Sequence, residues 1–93
     1  MSKFKLGDEV VVIRIDEVFA QEQYDMIGWD YACTHFNKGI VIEVFPDKYT
    51  VQFAANITAY REWYYGEHEL MSLEEFNKAD KGKLEILYGR KEV

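Results

Sequence analysis

The sequence predicts a mainly β domain: a small, strongly bent antiparallel barrel with a short C-terminal helix. Three observations predict it. Residues 37–53 read as two strands around a tight turn, with Ile40, Ile42 and Val44 on one face of the first and Tyr49, Val51 and Phe53 on one face of the second. That period-2 pattern belongs to a sheet that buries one side. Val10 to Ile15 is an almost unbroken β-branched run, which suits a buried pleated strand. Ile57 to Tyr65 is dense in aromatic residues and ends at Gly66, with Trp63 and Tyr65 pointing one way and Tyr60, Glu62 and Tyr64 the other.

The remaining elements follow in order. Gly7-Asp8 is a breaker pair ahead of the first strand. Residues 17–37 lack clean periodicity and are interrupted by Gly28; a helical turn fits 17–24, and the whole segment reads as a long structured loop. Loops longer than about 12–15 residues in compact domains tend to be functional. In the hairpin, Pro46 pre-sets φ at the second turn position, and Asp47 and Lys48 complete the turn. Glu67 to Met71 is a short link with room for one 3₁₀ turn. Ser72-Leu73-Glu74-Glu75 is a capping box, so a helix runs from about Leu73 to Asp80. Lys81-Gly82-Lys83 ends it, with Gly82 as the C′ residue. Leu84 to Tyr88 reads as a last short strand, and Gly89 onward as a polar tail.

Size and composition narrow the function classes. Ninety-three residues make one domain, with a barrel core over about 4–71 and the helix and last strand over 72–88. A chain this short buries one small core and has little to spare for a deep cleft. Aromatic residues are 16% of the chain, which is incompatible with disorder. No apolar run approaches the roughly 18 residues of a membrane span. The N-terminus Met1-Ser2-Lys3-Phe4-Lys5 has no apolar h-region, so no signal peptide is expected. The single Cys33 cannot form an internal disulfide, and a reducing cytoplasm is the expected compartment.

The net charge of −6 argues against nucleic acid as a partner, because phosphate-binding domains need a basic patch. The late cations Lys78, Lys81, Lys83, Arg90 and Lys91 are matched by Glu74, Glu75, Asp80, Glu85 and Glu92, the pattern of a solvated helix face. The excess charge sits in one place. Residues 16–36 carry Asp16, Glu17, Glu22, Asp25 and Asp30 and no Lys or Arg.

Several pieces together resemble SH3-like barrel domains of the KOW, Tudor and Mib–Herc2 kind. Leu6-Gly7-Asp8-Glu9-Val10-Val11-Val12 looks like their first strand. Lys38-Gly39-Ile40-Val41-Ile42-Glu43-Val44 looks like the second, and Tyr49-Thr50-Val51-Gln52-Phe53 is similar to the third. Trp63 and Glu69-Leu70 fit the closing segment. The likeness covers about residues 4–71. The acidic insert after the first strand and the C-terminal helix depart from it, the insert sitting where SH3-type proteins carry their first long loop. This broad family implies a fold and a binding habit, not an activity.

The segment 16–36 is the functional candidate. It combines its carboxylates with Phe19, Tyr24, Trp29, Tyr31 and Phe36. Crowded carboxylates repel one another unless a cation relieves them, and loop aromatics supply rigid contact area. The expected function is non-enzymatic capture of a basic protein surface or peptide. The expected contact residues are Glu22, Tyr24, Asp25, Trp29, Asp30 and Tyr31, with Trp63 and Tyr65 extending the patch where they face outward. In SH3-type barrels the equivalent acidic, aromatic loop often helps bind ligands, so the resemblance implies the same use here. The alternative is that the aromatics cap the core and the acids are merely solvated. The compact, Pro-poor, Tyr-rich chain also looks like a small phage accessory protein. In that setting an acidic surface can inhibit a host factor, or imitate nucleic-acid phosphate at a DNA-binding protein's site. A KOW-like RNA- or ribosome-associated role is a further alternative. An aromatic-rich surface on a small barrel can also pair with itself as a homo-oligomer.

Other chemistries have weaker support. A methyl-lysine cage could draw on Trp29, Tyr31, Tyr60, Trp63, Tyr64 and Tyr65 with Glu62; aromatic alternation on a strand more often serves the core and cross-strand pairs. Cys33 and His35, with His68 distant, do not make a zinc set, and no orienting third group for a Cys–His nucleophile is visible. The acidic residues lack EF-hand spacing, and there is no phosphate-cradling glycine motif. No metal, cofactor or catalytic residue is expected.

Overall fold

A computed structural model describes residues 3–29, 31–54 and 62–89, apart from the Ala32 side chain. The chain is mainly β. Strands β1 (Glu9–Val12), β2 (Lys38–Val44), β3 (Tyr49–Phe53), β4 (Glu62–Tyr65) and β5 (Leu70–Ser72) form one antiparallel sheet in the order β4-β3-β2-β1-β5. Helix α1 (Glu17–Ile27) and a 3₁₀ turn (Tyr31–Thr34) lie between β1 and β2. A second 3₁₀ turn (Glu67–Glu69) leads into β5, and α2 (Leu73–Lys78) and α3 (Lys81–Tyr88) follow. Among the described residues the outer strands β4 and β5 are not paired with each other, so the sheet is not closed.

The β-branched run of β1 is buried on both faces, as its composition requires: Val10, Val11, Val12 and Ile13 all lie inside. The ladder itself stops at Val12. Beyond it, Ile13 and Arg14 donate their amides to Glu69 O at 2.8 and 3.4 Å. Phe4 enters the core edge-on against Tyr49, with ring centres 5.3 Å apart. The Tyr49 hydroxyl accepts from the amides of Lys3 and Phe4 at 2.9 and 3.3 Å, which closes the N-terminal arm over the sheet.

The hairpin turns at Pro46-Asp47, where Phe45 N donates to Lys48 O at 2.9 Å. Tyr49, Val51 and Phe53 are buried as expected. The expected core face of β2 is corrected: Gly39 and Val41 face inward, while Ile40 is exposed. The register explains it. Gly39 lies opposite Phe53, so a residue without a side chain faces a large ring, Val41 lies opposite Val51, and a bulge at Ile42 breaks the alternation before Glu43 meets Thr50.

The expected fourth strand begins outside the described residues; Glu62–Tyr65 is its described part, with Trp63 and Tyr65 on the core side and Glu62 and Tyr64 outside. The link at 67–71 does contain a 3₁₀ turn, but Leu70–Ser72 is a fifth strand pairing with β1. Ser72 caps α2 by accepting from Glu75 N at 3.1 Å, as its sequence dictates. The C-terminal expectation is overturned. Gly82 lies inside a helix rather than ending one, and Leu84–Tyr88 is helical rather than a strand. Asp80 starts a new helix by accepting from Lys83 N at 3.2 Å. Leu84 and Tyr88, four residues apart, then share one face: Leu84 is buried and the Arg14 guanidinium lies 5.0 Å from the Tyr88 ring centre.

Two substitutions in the hairpin have opposite expected signs. A Cβ at Gly39 would meet Val51 Cγ1 and, at 3.0 Å, Gln52 O. Gly39→Ala is therefore expected to lose about 1–3 kcal/mol in denaturant unfolding, the usual cost of overpacking. Thr50 is buried, and its Oγ1 has no hydrogen-bond partner among the described residues. Thr50→Val removes this orphan acceptor and keeps the β-branched shape, so the same measurement should show a gain of about 1 kcal/mol.

Candidate functional site

The acidic, aromatic segment is a capped helix followed by a 3₁₀ turn, not a loop. Asp16 accepts from Phe19 N at 3.0 Å at the start of α1, and Glu17 in the first turn suits the helix dipole. At the other end Gly28 takes the left-handed conformation (φ 72°) and donates to Tyr24 O at 2.9 Å. A helix turns 100° per residue, and this rotation separates the two chemistries. Phe19, Ala20 and Gln23 point toward the sheet, while Val18, Gln21, Glu22, Tyr24, Asp25 and Met26 stay exposed.

The aromatic half of the segment goes inside. Phe19 stacks on Trp63 at 5.6 Å and meets Tyr31 edge-on at 5.2 Å. Trp29 packs edge-on against Trp63 at 4.7 Å and against Tyr31 at 5.6 Å. Tyr31 stacks on Tyr65 at 6.0 Å, and Tyr65 meets Phe53 at 5.9 Å. The Tyr65 hydroxyl donates to Thr34 Oγ1 at 2.9 Å, and Thr34 in turn donates to Tyr31 O at 2.9 Å. Burial pushes both the Tyr31 and the Tyr65 phenols well above the usual tyrosine range. Nearby Tyr65, Glu69 and Asp16 add to the effect at Tyr31.

The expected contact residues therefore divide. Glu22, Tyr24 and Asp25 share the exposed side of α1, with Tyr24 59% exposed. Gln21 Nε2 donates to Asp25 Oδ1 at 2.9 Å and holds that carboxylate in place. Trp29, Tyr31 and Tyr65 are corrected to core residues, 4%, 2% and 1% exposed, because their rings fill one another's faces under the sheet. Trp63 is half-buried between Phe19 and Tyr64. Asp30 lies outside the described residues. A cage cannot open among rings packed this way, and the face of Tyr64 is covered by Lys48, whose Nζ lies 4.8 Å from the ring centre. Tyr60 lies outside the described residues.

His35 is used structurally. Its Nε2 donates to Ile13 O at 3.0 Å and its ring stacks on Phe36 at 3.9 Å. Among the described residues no three His, Cys, Asp or Glu side chains converge on a metal position. No described helix is long and apolar enough to cross a membrane. Sequence reasoning missed the exposed apolar residues Val18, Met26 and Ile27 of α1 and Ile86 and Leu87 of α3. The signals that could have found them are the capping residues Asp16, Gly28 and Asp80. No protein-family model, curated protein or solved structure matches the chain.

The buried phenols fix the alkaline behaviour. The folded state holds the Tyr31 and Tyr65 protons beyond the pH at which an unfolded chain releases them, about 10. Their contribution is full below that pH and is lost as pH rises above it. Thermal unfolding followed between neutral pH and pH about 11 should show a midpoint that falls steeply past about 10, with a shallower fall in Tyr31→Phe. An equal fall in both proteins would remove Tyr31 as the cause.

Proposed function

We propose that this chain is a non-enzymatic protein-binding module of SH3-like type that captures a basic protein surface or peptide on the outer side of α1. One observation carries the reading. α1 exposes Glu22 and Asp25, with no Lys or Arg along its length, and sets them among the exposed apolar residues Val18, Tyr24 and Met26. Single exposed apolar residues are ordinary, but here they share one face of a short helix with the two carboxylates. Carboxylates next to exposed apolar side chains match a partner that presents Arg or Lys beside its own apolar contacts, with charge setting the encounter and Tyr24 supplying contact area. The SH3-like part of the reading is supported by the order of its pieces: three successive antiparallel strands, then β4, then a closing segment that returns beside β1. Occupying a basic surface in this way also blocks whatever acidic ligand that surface serves.

The test is a fluorescence titration with an arginine-rich peptide at low and physiological salt. Wild type should bind, more tightly at low salt. Glu22→Lys/Asp25→Lys should abolish binding. Tyr24→Ala should weaken it about tenfold, or ~1.4 kcal/mol. Glu74→Lys, on α2, should change nothing. Equal binding by wild type and the α1 double variant would reject the reading.

A further inference from the structure

We propose that α3 is a hinged cover on the end of β1, which opens about Ala79–Asp80 while the aromatic core stays closed. β1 buries both of its faces, and the two faces go to different places. Val10 and Val12 join the aromatic cluster with Tyr31, Val51 and Tyr65. Val11 and Ile13 are just as buried, 1% and 5% exposed, yet stand outside that cluster. Leu84 of α3 is the third such residue, 4% exposed and also outside it. Among the described residues, these three are the buried apolar side chains that the main core leaves out. The C-terminal helices lie on this second side. α2 packs against β1 and β5. At the end of α3 the Tyr88 ring meets Arg14, the residue next to Ile13, at 5.0 Å.

The two C-terminal helices are attached differently. Phe76 of α2 packs on Phe36 with ring centres 5.9 Å apart, and Phe36 N donates to Val12 O at 2.7 Å, so α2 is joined to the sheet through a buried route. α3 has one fully buried residue, Leu84. Its other ties lie at the surface: Lys81 Nζ on Phe76 O at 2.9 Å, the Asp80 cap on Lys83 N, and Arg14 on Tyr88. Water can replace the polar ones at little net cost. Between the helices Ala79 and Asp80 are extended, with ψ 152° and 120°. Rotation there swings α3 and leaves α2 in place. Opening uncovers Leu84 and the Arg14 end of β1, and it takes the Tyr88 ring off a guanidinium two residues ahead of the Asp16 cap of α1. Little apolar area enters water, so this opening costs far less than global unfolding. The fold therefore carries a cover that can leave one face of β1 without disturbing the other.

Hydrogen exchange of the full chain at neutral pH, read by mass spectrometry, tests the proposal. Amides of residues 84–88 should exchange at least about tenfold faster than those of β2 and β3, after correction for intrinsic rates. Their exchange should also respond little to low denaturant, because little surface is exposed in the opening. Leu84→Ala and Tyr88→Ala should each speed exchange in α3 and leave β2 and β3 unchanged. Ile86→Ser, on the exposed side of the helix, should alter neither. A native-state thiol label separates opening from fraying in place. The thiol of Leu84→Cys, distinguished from Cys33 by peptide mass, should react while β2 and β3 keep their protection. Amides of α3 as protected as those of the strands would overturn the proposal. So would a Leu84→Cys thiol that reacts only as the strands unfold. Equal acceleration of α3 and the strands by Leu84→Ala would do the same, since Leu84 would then belong to the common core.

Discussion

The packing of Phe19, Trp29 and Tyr31 against Trp63 and Tyr65 is the contact on which the rest of the structure depends. A bent sheet with Val41, Tyr49, Val51, Phe53 and Tyr65 on its inner face has to be covered, and the segment between β1 and β2 supplies the cover. Aromatic pairs of this kind contribute about 0.5–1.5 kcal/mol each beyond the area they bury. The cluster carries polar atoms inward, and they are provided for. Tyr65 donates to Thr34, and Thr34 donates to the Tyr31 carbonyl, so the buried hydroxyls sit in a short chain of bonds rather than alone.

The position of the acidic surface follows from that packing. Residues 16–36 hold both the aromatics the core needs and five carboxylates, each of which would cost several kcal/mol to bury unpaired. A helix resolves the conflict by rotation, placing Phe19 and Ala20 inside and Glu22 and Asp25 outside. Capping the core and displaying acids are therefore two sides of one element, not competing uses of a loop. What the core does not require is the exposure of Val18, Tyr24 and Met26 among those acids. This surplus apolar surface is what turns a solvated face into a candidate binding face.

Strong local signals were legible in the sequence. Pro46-Asp47 marked the turn, alternation marked Tyr49, Val51 and Phe53, the Trp63/Tyr65 phase was right, and Ser72 marked the start of α2. The failures share a cause. In β2 both phases of the alternation look plausible, and Ile40, Ile42 and Val44 are the more apolar one; only the pairing of Gly39 with Phe53 across the hairpin decides, and that is tertiary. β5 is three residues long and exists because Val12, Val11 and Val10 offer it an edge. In α1 the helical period is blurred, because its inward stripe is narrow and its outward side carries Val18 and Met26. In α3 the run Leu84-Glu85-Ile86-Leu87-Tyr88 reads as a strand by residue type, and the side-chain cap of Asp80 decides otherwise. The candidate site was legible as a segment and in part as residues: Glu22, Tyr24 and Asp25 are on the surface, while Trp29, Tyr31 and Tyr65 were claimed by the core.

Of the two helices that carry the exposed faces, α1 is tied to the core through Phe19, and α3 is the less tied. α1 fully buries Ala20, and α3 fully buries Leu84. Eight residues are too few for a helix to persist alone in water, where about 12–15 is the margin. α3 is therefore held by its Asp80 cap, by Leu84 and by the Arg14–Tyr88 contact, with Lys81 bridging back to Phe76 O at 2.9 Å. Anything that binds the folded form of such an element stabilises it by mass action. Covering Ile86 and Leu87 thus does two things at once: it removes apolar surface from water, and it shifts α3 away from fraying. The outward residues of both helices are exposed, so changing them leaves the aromatic core intact. This separation lets a domain of 93 residues commit Phe19, Trp29, Tyr31, Trp63 and Tyr65 to one core and still keep surface for a partner.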